Sequence, residues 1–188
     1  MARPRPDQRG ARSQRRLPDP YHPIAQRPPD RRGMSPGELA DCAALTDLVH
    51  RYAATIDDRD LDGLAACFAE GAVADYDGGT RLEGRAAIRA FMDRAFREGI
   101  GMATPSTHMM SNILISVDGD EAVIRTSAIA CLTNRPGFVT VRGLRYIDRC
   151  VKEAGRWRFA HRRHVCDWQF DAPAGTIASG VSASAAAG

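Results

Sequence analysis

Near residue 107 the apolar side chains change their spacing from about every 3.6 residues to every second residue, and this change limits the fold more than anything else in the chain. Before it, the pattern is helical. Ser35-Pro36-Gly37-Glu38 predicts a helix start, with Ser35 as N-cap, proline at the first position and a glutamate three residues after the cap. Leu45, Leu48, Val49, Tyr52 and Ile56 then form one stripe. Asp60 is placed to cap a short second helix carrying Leu64, Cys67 and Phe68, which Gly71 ends. Val73–Tyr76 predicts a short strand stopped by Asp77-Gly78-Gly79, and a third helix is predicted from Gly84 to about Arg97, with Ile88, Phe91, Met92 and Phe96 on one side.

Beyond the change, strands are predicted over 107–117, 121–133, 138–151 and 156–169. Asp118-Gly119-Asp120, Asn134-Arg135-Pro136-Gly137 and Glu153-Ala154-Gly155 supply the turns between them. Helices followed by an antiparallel meander predict an α+β domain with its helices gathered on one face of a curved antiparallel sheet.

Composition sets the limits of that domain. The first 33 residues contain nine arginines, seven prolines and three aspartates, too little apolar surface to offset chain entropy, so a disordered basic arm is expected there. It is either a solvated arm or a stretch ahead of a true start at Met34. An Ala/Ser/Gly tail is expected over 172–188, which leaves one domain over 34–171. The net charge is +3, of which the arm supplies +6, so the domain is mildly acidic. Weak phosphate binding by the arm is the only nucleic-acid contact this predicts.

No run of eighteen apolar residues and no secretory h-region occurs, which excludes a membrane span and a signal peptide as readings of this sequence. Five scattered cysteines in apolar patterns predict reduced thiols and a cytoplasmic setting. There is no Gly-x-Ser-x-Gly elbow, Walker loop or dinucleotide glycine signature. His161 and His164 fall on opposite faces of a strand, a poor metal pair, and no metal site is expected.

Three polar residues interrupt the apolar patterns: Tyr52 and Asp57 on the first helix, and His108 at the start of a strand. A carboxylate and an imidazole facing one cavity can move a proton at neutral pH. Tyr52 and Asp57 are about 140° apart on a continuous helix, so they share a face only if the helix ends near Ile56. Otherwise Asp57, Asp58 and Asp60 cap and solubilise a loop. By alternation His108 shares a face with Met110, Asn112 and Leu114. In the last strand Phe159, His161, Arg163 and Val165 alternate with Ala160, Arg162, His164 and Cys166. Phe159 suggests that the first set faces inward, where Arg163 would bind an anionic oxygen; on the open face it would be a surface or oligomer contact. Tyr76 either donates a phenol hydrogen bond or packs.

Taken as a set, Leu48-Val49-His50-Arg51-Tyr52-Ala53, Ile56-Asp57-Asp58-Arg59-Asp60-Leu61-Asp62-Gly63-Leu64, Cys67-Phe68-Ala69, Gly84-Arg85-Ala86-Ala87-Ile88, Thr107-His108-Met109-Met110-Ser111-Asn112 and Trp157-Arg158-Phe159-Ala160 resemble the SnoaL-like branch of the nuclear-transport-factor-two-like superfamily. The resemblance runs from about Leu39 to Trp168 and implies a cone-shaped domain. That fold hosts isomerases such as ketosteroid isomerase, dehydratases, hydrolases, polyketide cyclases and binding modules.

Within it the chain is most similar to scytalone dehydratase and the bile-acid dehydratases. By motif position Asp57, Tyr52 and His108 match the bile-acid type and Tyr76 the scytalone type. Ile56 stands where the latter has another tyrosine, and Arg163 or its neighbour Arg162 corresponds to a basic residue of the last strand. The resemblance implies a cofactor-free lyase or isomerase acting on a hydrophobic polyketide, steroid or aromatic. His108 would be acid and base, Asp57 its orienter, and Tyr52 or Tyr76 the enolate partner, while Tyr76, Arg163, Asn112, Met110 and Phe91 would bind substrate. The alternatives are a non-catalytic small-molecule-binding module and a small subunit of a ring-hydroxylating dioxygenase. A homodimer or homotrimer through the exposed sheet is expected in each case.

Overall fold

The computed structural model describes residues 33–98, 106–135 and 137–174. Residues 1–32 of the expected arm, the last fourteen residues of the expected tail and Pro136 of the second turn lie outside them. In chain order the elements are α1 (Pro36–Asp57), α2 (Leu61–Ala66), β1 (Phe68–Tyr76), β2 (Thr80–Glu83), α3 (Arg85–Glu98), β3 (Ser106–Asp118), β4 (Glu121–Arg135), β5 (Phe138–Glu153) and β6 (Arg156–Pro173).

The helix starts follow the local chemistry of the sequence. Ser35 Oγ accepts the Glu38 N–H while the Glu38 carboxylate accepts the Ser35 N–H, a complete capping box. Asp60 caps α2 by accepting the Gly63 N–H. The buried stripe of α1 is Leu45, Leu48, Val49, Tyr52, Ala53, Thr55 and Ile56.

The six strands form one sheet in the order β2-β1-β6-β5-β4-β3. It is mixed rather than wholly antiparallel, because β1 runs parallel to β6. The helices occupy one side, and the core lies between them and the inner face of the sheet, with Leu45, Leu48, Phe68, Ile88, Met92, Ile124 and Phe159 among its fully buried members. This is the expected α+β arrangement, with three boundaries corrected. Helix α2 stops at Ala66, so Phe68 opens β1 and Gly71 lies inside that strand. Asp77-Gly78-Gly79 is the turn of a β1–β2 hairpin that the period of the sequence does not predict, with Gly78 and Gly79 both at positive φ, as a tight reversal requires. Strand β6 runs to Pro173, past the point where the tail is expected to begin.

Bulges re-aim the long strands. In β3 the pairing jumps from Ser111↔Ser127 to Leu114↔Arg125, and Asn112 takes a φ of 48°. In β6 Ala160 has no Cα partner between Phe159 and His161, nor does Asp167 between Cys166 and Trp168. Each extra residue moves the following side chains to the other face.

On the outer face Trp168 lies across Gly143. A β-carbon added at Gly143 would come within 2.1 Å of the indole Cε2. Gly143→Ala is therefore expected to push the indole off β5 and destabilise the fold by about 1–3 kcal/mol. Urea denaturation measures the loss, and Trp168 fluorescence reports the displaced ring.

Candidate functional site

The last residue of α1 fastens the helix to the first residues of β3. Asp57 Oδ1 accepts from Ser106 Oγ at 2.9 Å and faces His108 Nδ1 at 2.7 Å, while Oδ2 accepts the His108 backbone N–H at 2.9 Å. Because α1 ends at Asp57, the angle that would separate it from Tyr52 on a longer helix no longer applies. The His108 side chain is 5% exposed. With Nδ1 engaged by the carboxylate, Nε2 is the ring nitrogen left to face the cavity.

That cavity has a volume of about 360 Å³, and His108, Tyr52, Tyr76 and Phe91 all line it. The two phenol oxygens are 3.5 Å apart, and Phe91 stacks on Tyr76 with centroids at 5.2 Å. Desolvation pushes the Tyr76 phenol well above its ordinary range, so it acts as a hydrogen-bond donor and not as a phenolate. The remaining expected site residues lie elsewhere. Met110 packs half-buried against the core. The β3 bulge turns Asn112 and Leu114 to the outer face, where they line a broad groove with Trp168, and brings Ile113, Ile115 and Val117 to the core. Arg163 is exposed. The bulge at Ala160 turns it outward and its neighbour Arg162 inward, which corrects the inward set inferred from Phe159 alone.

Arg162 is fully buried beneath the cavity and grips Asp148, also fully buried, through Nε at 2.8 Å and Nη2 at 2.7 Å. Its guanidinium lies 3.8 Å from the Tyr52 ring centroid, 3.9 Å from Phe159 and 4.6 Å from Tyr146, an aromatic cage around one cation. Burial raises the Asp148 carboxyl, against the pull of Arg162. The guanidinium cannot lose its proton, and its two-pronged contact holds the pair ionic.

Two residues along each strand toward the opening, on the same face, Tyr146 pairs with His164. The His164 ring contacts Tyr76 and Tyr146 at 5.5 and 5.4 Å between centroids. Burial brings it to about 4, helped by the charges of Arg162, Arg142 and His108 and opposed by Asp77. It is a neutral imidazole at pH 7. His161, one residue before Arg162, points away and meets Asp75 at 2.7 Å, so the two histidines lie on opposite faces. Arg162, Asp148, Tyr146 and His164 do not stand out as a group in the sequence. One signal is present: Asp148 falls within the inward alternation Leu144, Tyr146, Asp148, Cys150 of a long strand, where a lone charge calls for a partner.

Two outcomes follow. Asp148→Ala leaves an uncompensated buried cation and is expected to cost about 3–5 kcal/mol in urea denaturation. Between its ordinary value of 6.5 and about 4, His164 binds a proton in the unfolded chain but not in the native one. Its contribution is therefore complete above pH 6.5 and falls away as the pH drops toward 4, by about 3 kcal/mol in all. His164→Gln is expected to flatten the stability slope across that window relative to the native sequence.

The arrangement has recognisable relatives. The SnoaL-like domain family profile matches residues 37–163. An uncharacterized protein of Mycobacterium tuberculosis is 29% identical over 140 residues, covering 71% of this chain and 90% of its own. Among solved structures, a Mycobacterium tuberculosis protein of unknown function is 30% identical with a TM-score of 0.64, over 72% of this chain and 78% of that one. A Novosphingobium aromaticivorans protein provisionally named a scytalone dehydratase is 27% identical with a TM-score of 0.64, over 76% and 94%. A hexachlorocyclohexane dehydrochlorinase of Novosphingobium barchaimii shares the fold at 17% identity and a TM-score of 0.64, over 74% and 94%. The profile spans both the helix that carries Asp57 and the strand that carries Arg162, so the chain belongs to the SnoaL-like domain family, within the nuclear-transport-factor-two-like cone fold.

Proposed function

We propose that this protein is a lyase or isomerase that needs no cofactor and removes a proton beside a carbonyl of a hydrophobic small molecule. The observation that carries this reading is the Asp57–His108 contact at 2.7 Å, which directs the other imidazole nitrogen at a cavity lined by two phenols. His108 Nε2 takes the carbon-bound proton, and the electron pair moves onto the carbonyl oxygen as an enolate. Tyr52 and Tyr76 are the donors for that oxygen, each worth about 3 kcal/mol if aimed at it. Asp57 stabilises the imidazolium without itself taking the proton. In an elimination, the enolate collapses to expel a β-hydroxyl, which leaves as water with the proton that His108 holds. In an isomerisation the same proton returns to a different carbon.

The family and the provisional name of one 27%-identical neighbour support this class of chemistry. Apolar lining from Ile56, Phe91, Ala95, Leu132 and Leu144 suits an aromatic, polyketide or steroid framework. On the outer face Met109, Trp168 and Phe170 are exposed, and the last two rings stack at 6.0 Å, a surface suited to a homodimer or homotrimer. Among the described residues no helix is long and apolar enough to cross a membrane. All five cysteines are unpaired, which supports a reducing, cytoplasmic setting.

Deuterium exchange at the carbon beside the carbonyl of β-tetralone, followed by proton NMR in D2O, tests the reading. The protein is expected to speed exchange, and His108→Ala to lower the enzymatic rate by about 10²–10⁴-fold. Asp57→Asn should lower it as well. Undiminished exchange in the His108 variant would sink the proposal and leave a ligand-binding module as the better reading.

A further inference from the structure

The cavity wall is laid out as rows across neighbouring strands. His108 pairs with Ala130, Ala130 with Arg142, and Arg142 with Gln169. All four line the cavity. The small Ala130 therefore leaves open space between an imidazole on β3 and a guanidinium on β5, whose backbones are two strand spacings, or about 10 Å, apart. Gln169 reaches the cavity only because the Asp167 bulge turns it inward.

Arg142 differs from the arginines of the domain that are held in ion pairs. Arg51, Arg81, Arg85, Arg89, Arg97, Arg145 and Arg162 each meet a carboxylate. Among the described residues Arg142 meets none, and its Nε is buried without a hydrogen-bond partner. A buried cationic donor with no acceptor is costly to keep, and a ligand that brings an acceptor removes that cost. Arg94, exposed at the same opening above Phe91, adds a second cation. The opposing carboxylate on the lining is Asp77, which already accepts the Cys166 backbone N–H and lies 3.7 Å from His164 Nδ1. The opening is therefore cationic beside an otherwise apolar cavity, while the deep Arg162–Asp148 pair is internally neutral.

We propose that the substrate of this site carries a carboxylate, held by Arg142 together with Gln169 and Arg94, while the carbon beside its carbonyl faces His108. The inference rests on the proposed proton-transfer function and narrows its substrate to compact cyclic or aromatic acids. A guanidinium fork with one neighbouring amide matches the planar two-oxygen geometry of a carboxylate. A phosphate would call for more donors than this row provides. Ala130 sets the span between acid and reacting carbon to about the length of a small ring system.

Calorimetric titration with a matched pair of probes, 1-naphthoate and 1-naphthamide, tests this independently of turnover. The native protein is expected to bind the naphthoate at least about tenfold more tightly, the worth of one charge-assisted hydrogen bond. The margin should shrink as salt rises to about 0.3 M. Arg142→Gln should erase the preference, and Arg142→Lys should keep only part of it. His108→Ala should retain the preference even if the proton-exchange assay shows the dyad to be idle, so the two proposals fail separately. Equal affinity for the two probes, including no detectable binding of either at millimolar concentration, overturns the inference. So does a preference that survives Arg142→Gln, or one that vanishes in His108→Ala, because the anion would then sit on the dyad. If Arg142→Gln does not fold, the lysine variant and the salt titration decide between these outcomes.

Discussion

The Arg162–Asp148 pair is the constraint around which the site is arranged. Two full charges with no exposure to water are tolerable only if each satisfies the other, and here two short contacts do so. The guanidinium then serves as a platform for the rings of Tyr52, Phe159 and Tyr146, which come from α1, β6 and β5. Through Tyr52 the pair fixes the rotation of α1 over the sheet, and α1 ends at Asp57. A buried charge in the floor thus helps decide where the carboxylate above it meets His108. Apolar residues of similar volume could support the same packing, but they would not present a cation face to the Tyr52 ring.

The placement of Arg162 depends on a single extra residue. Without the bulge at Ala160, strict alternation from Phe159 would send Arg163 inward and Arg162 to solvent. The bulges at Asn112 and Asp167 work in the same way, turning Asn112 out of the cavity and Gln169 into it. Bulges thus mark the positions where this sheet stops being a regular surface and becomes a shaped wall.

This explains what is legible in the sequence and what is not. The capping box at Ser35, the cap at Asp60, the four long strands and the order of helices before meander all follow from local chemistry and period. The meeting of Tyr52, Asp57, Tyr76, Phe91 and His108 in one region does not follow from period alone, which leaves the faces of Asp57 and His108 open; in the sequence it rests on the family resemblance, and Tyr76 lies beyond an irregularity in the pairing of β1. The expectations for Asn112 and Arg163 fail for one reason: each lies at or beyond an unpaired residue, and Cα pairing is a property of two strands that neither sequence alone encodes. The β1–β2 hairpin is hidden because β2 is only four residues long, Thr80–Glu83, with polar residues at three of them. Asp148 is legible as a charge out of place, but its partner is not, because the partner's face depends on Ala160.

From floor to opening, the β5 and β6 sides of the cavity carry four register pairs: Asp148 with Arg162, Tyr146 with His164, Leu144 with Cys166, and Arg142 with Gln169. Polarity falls and then returns along this series. The deepest pair is charged but closed on itself, and the next is aromatic, with His164 held neutral by its surroundings. The third is apolar, and the outermost ends in a cation that meets no carboxylate among the described residues. His108 lies in the same row as this outermost pair, two strands away. Proton transfer needs a base with a free nitrogen and a cavity with little competing water. Recognition needs a charge that the protein itself has left unanswered. Placing the closed charges deep and the open one at the mouth meets both needs, because the ligand can satisfy Arg142 without disturbing the pair that holds Tyr52 in place.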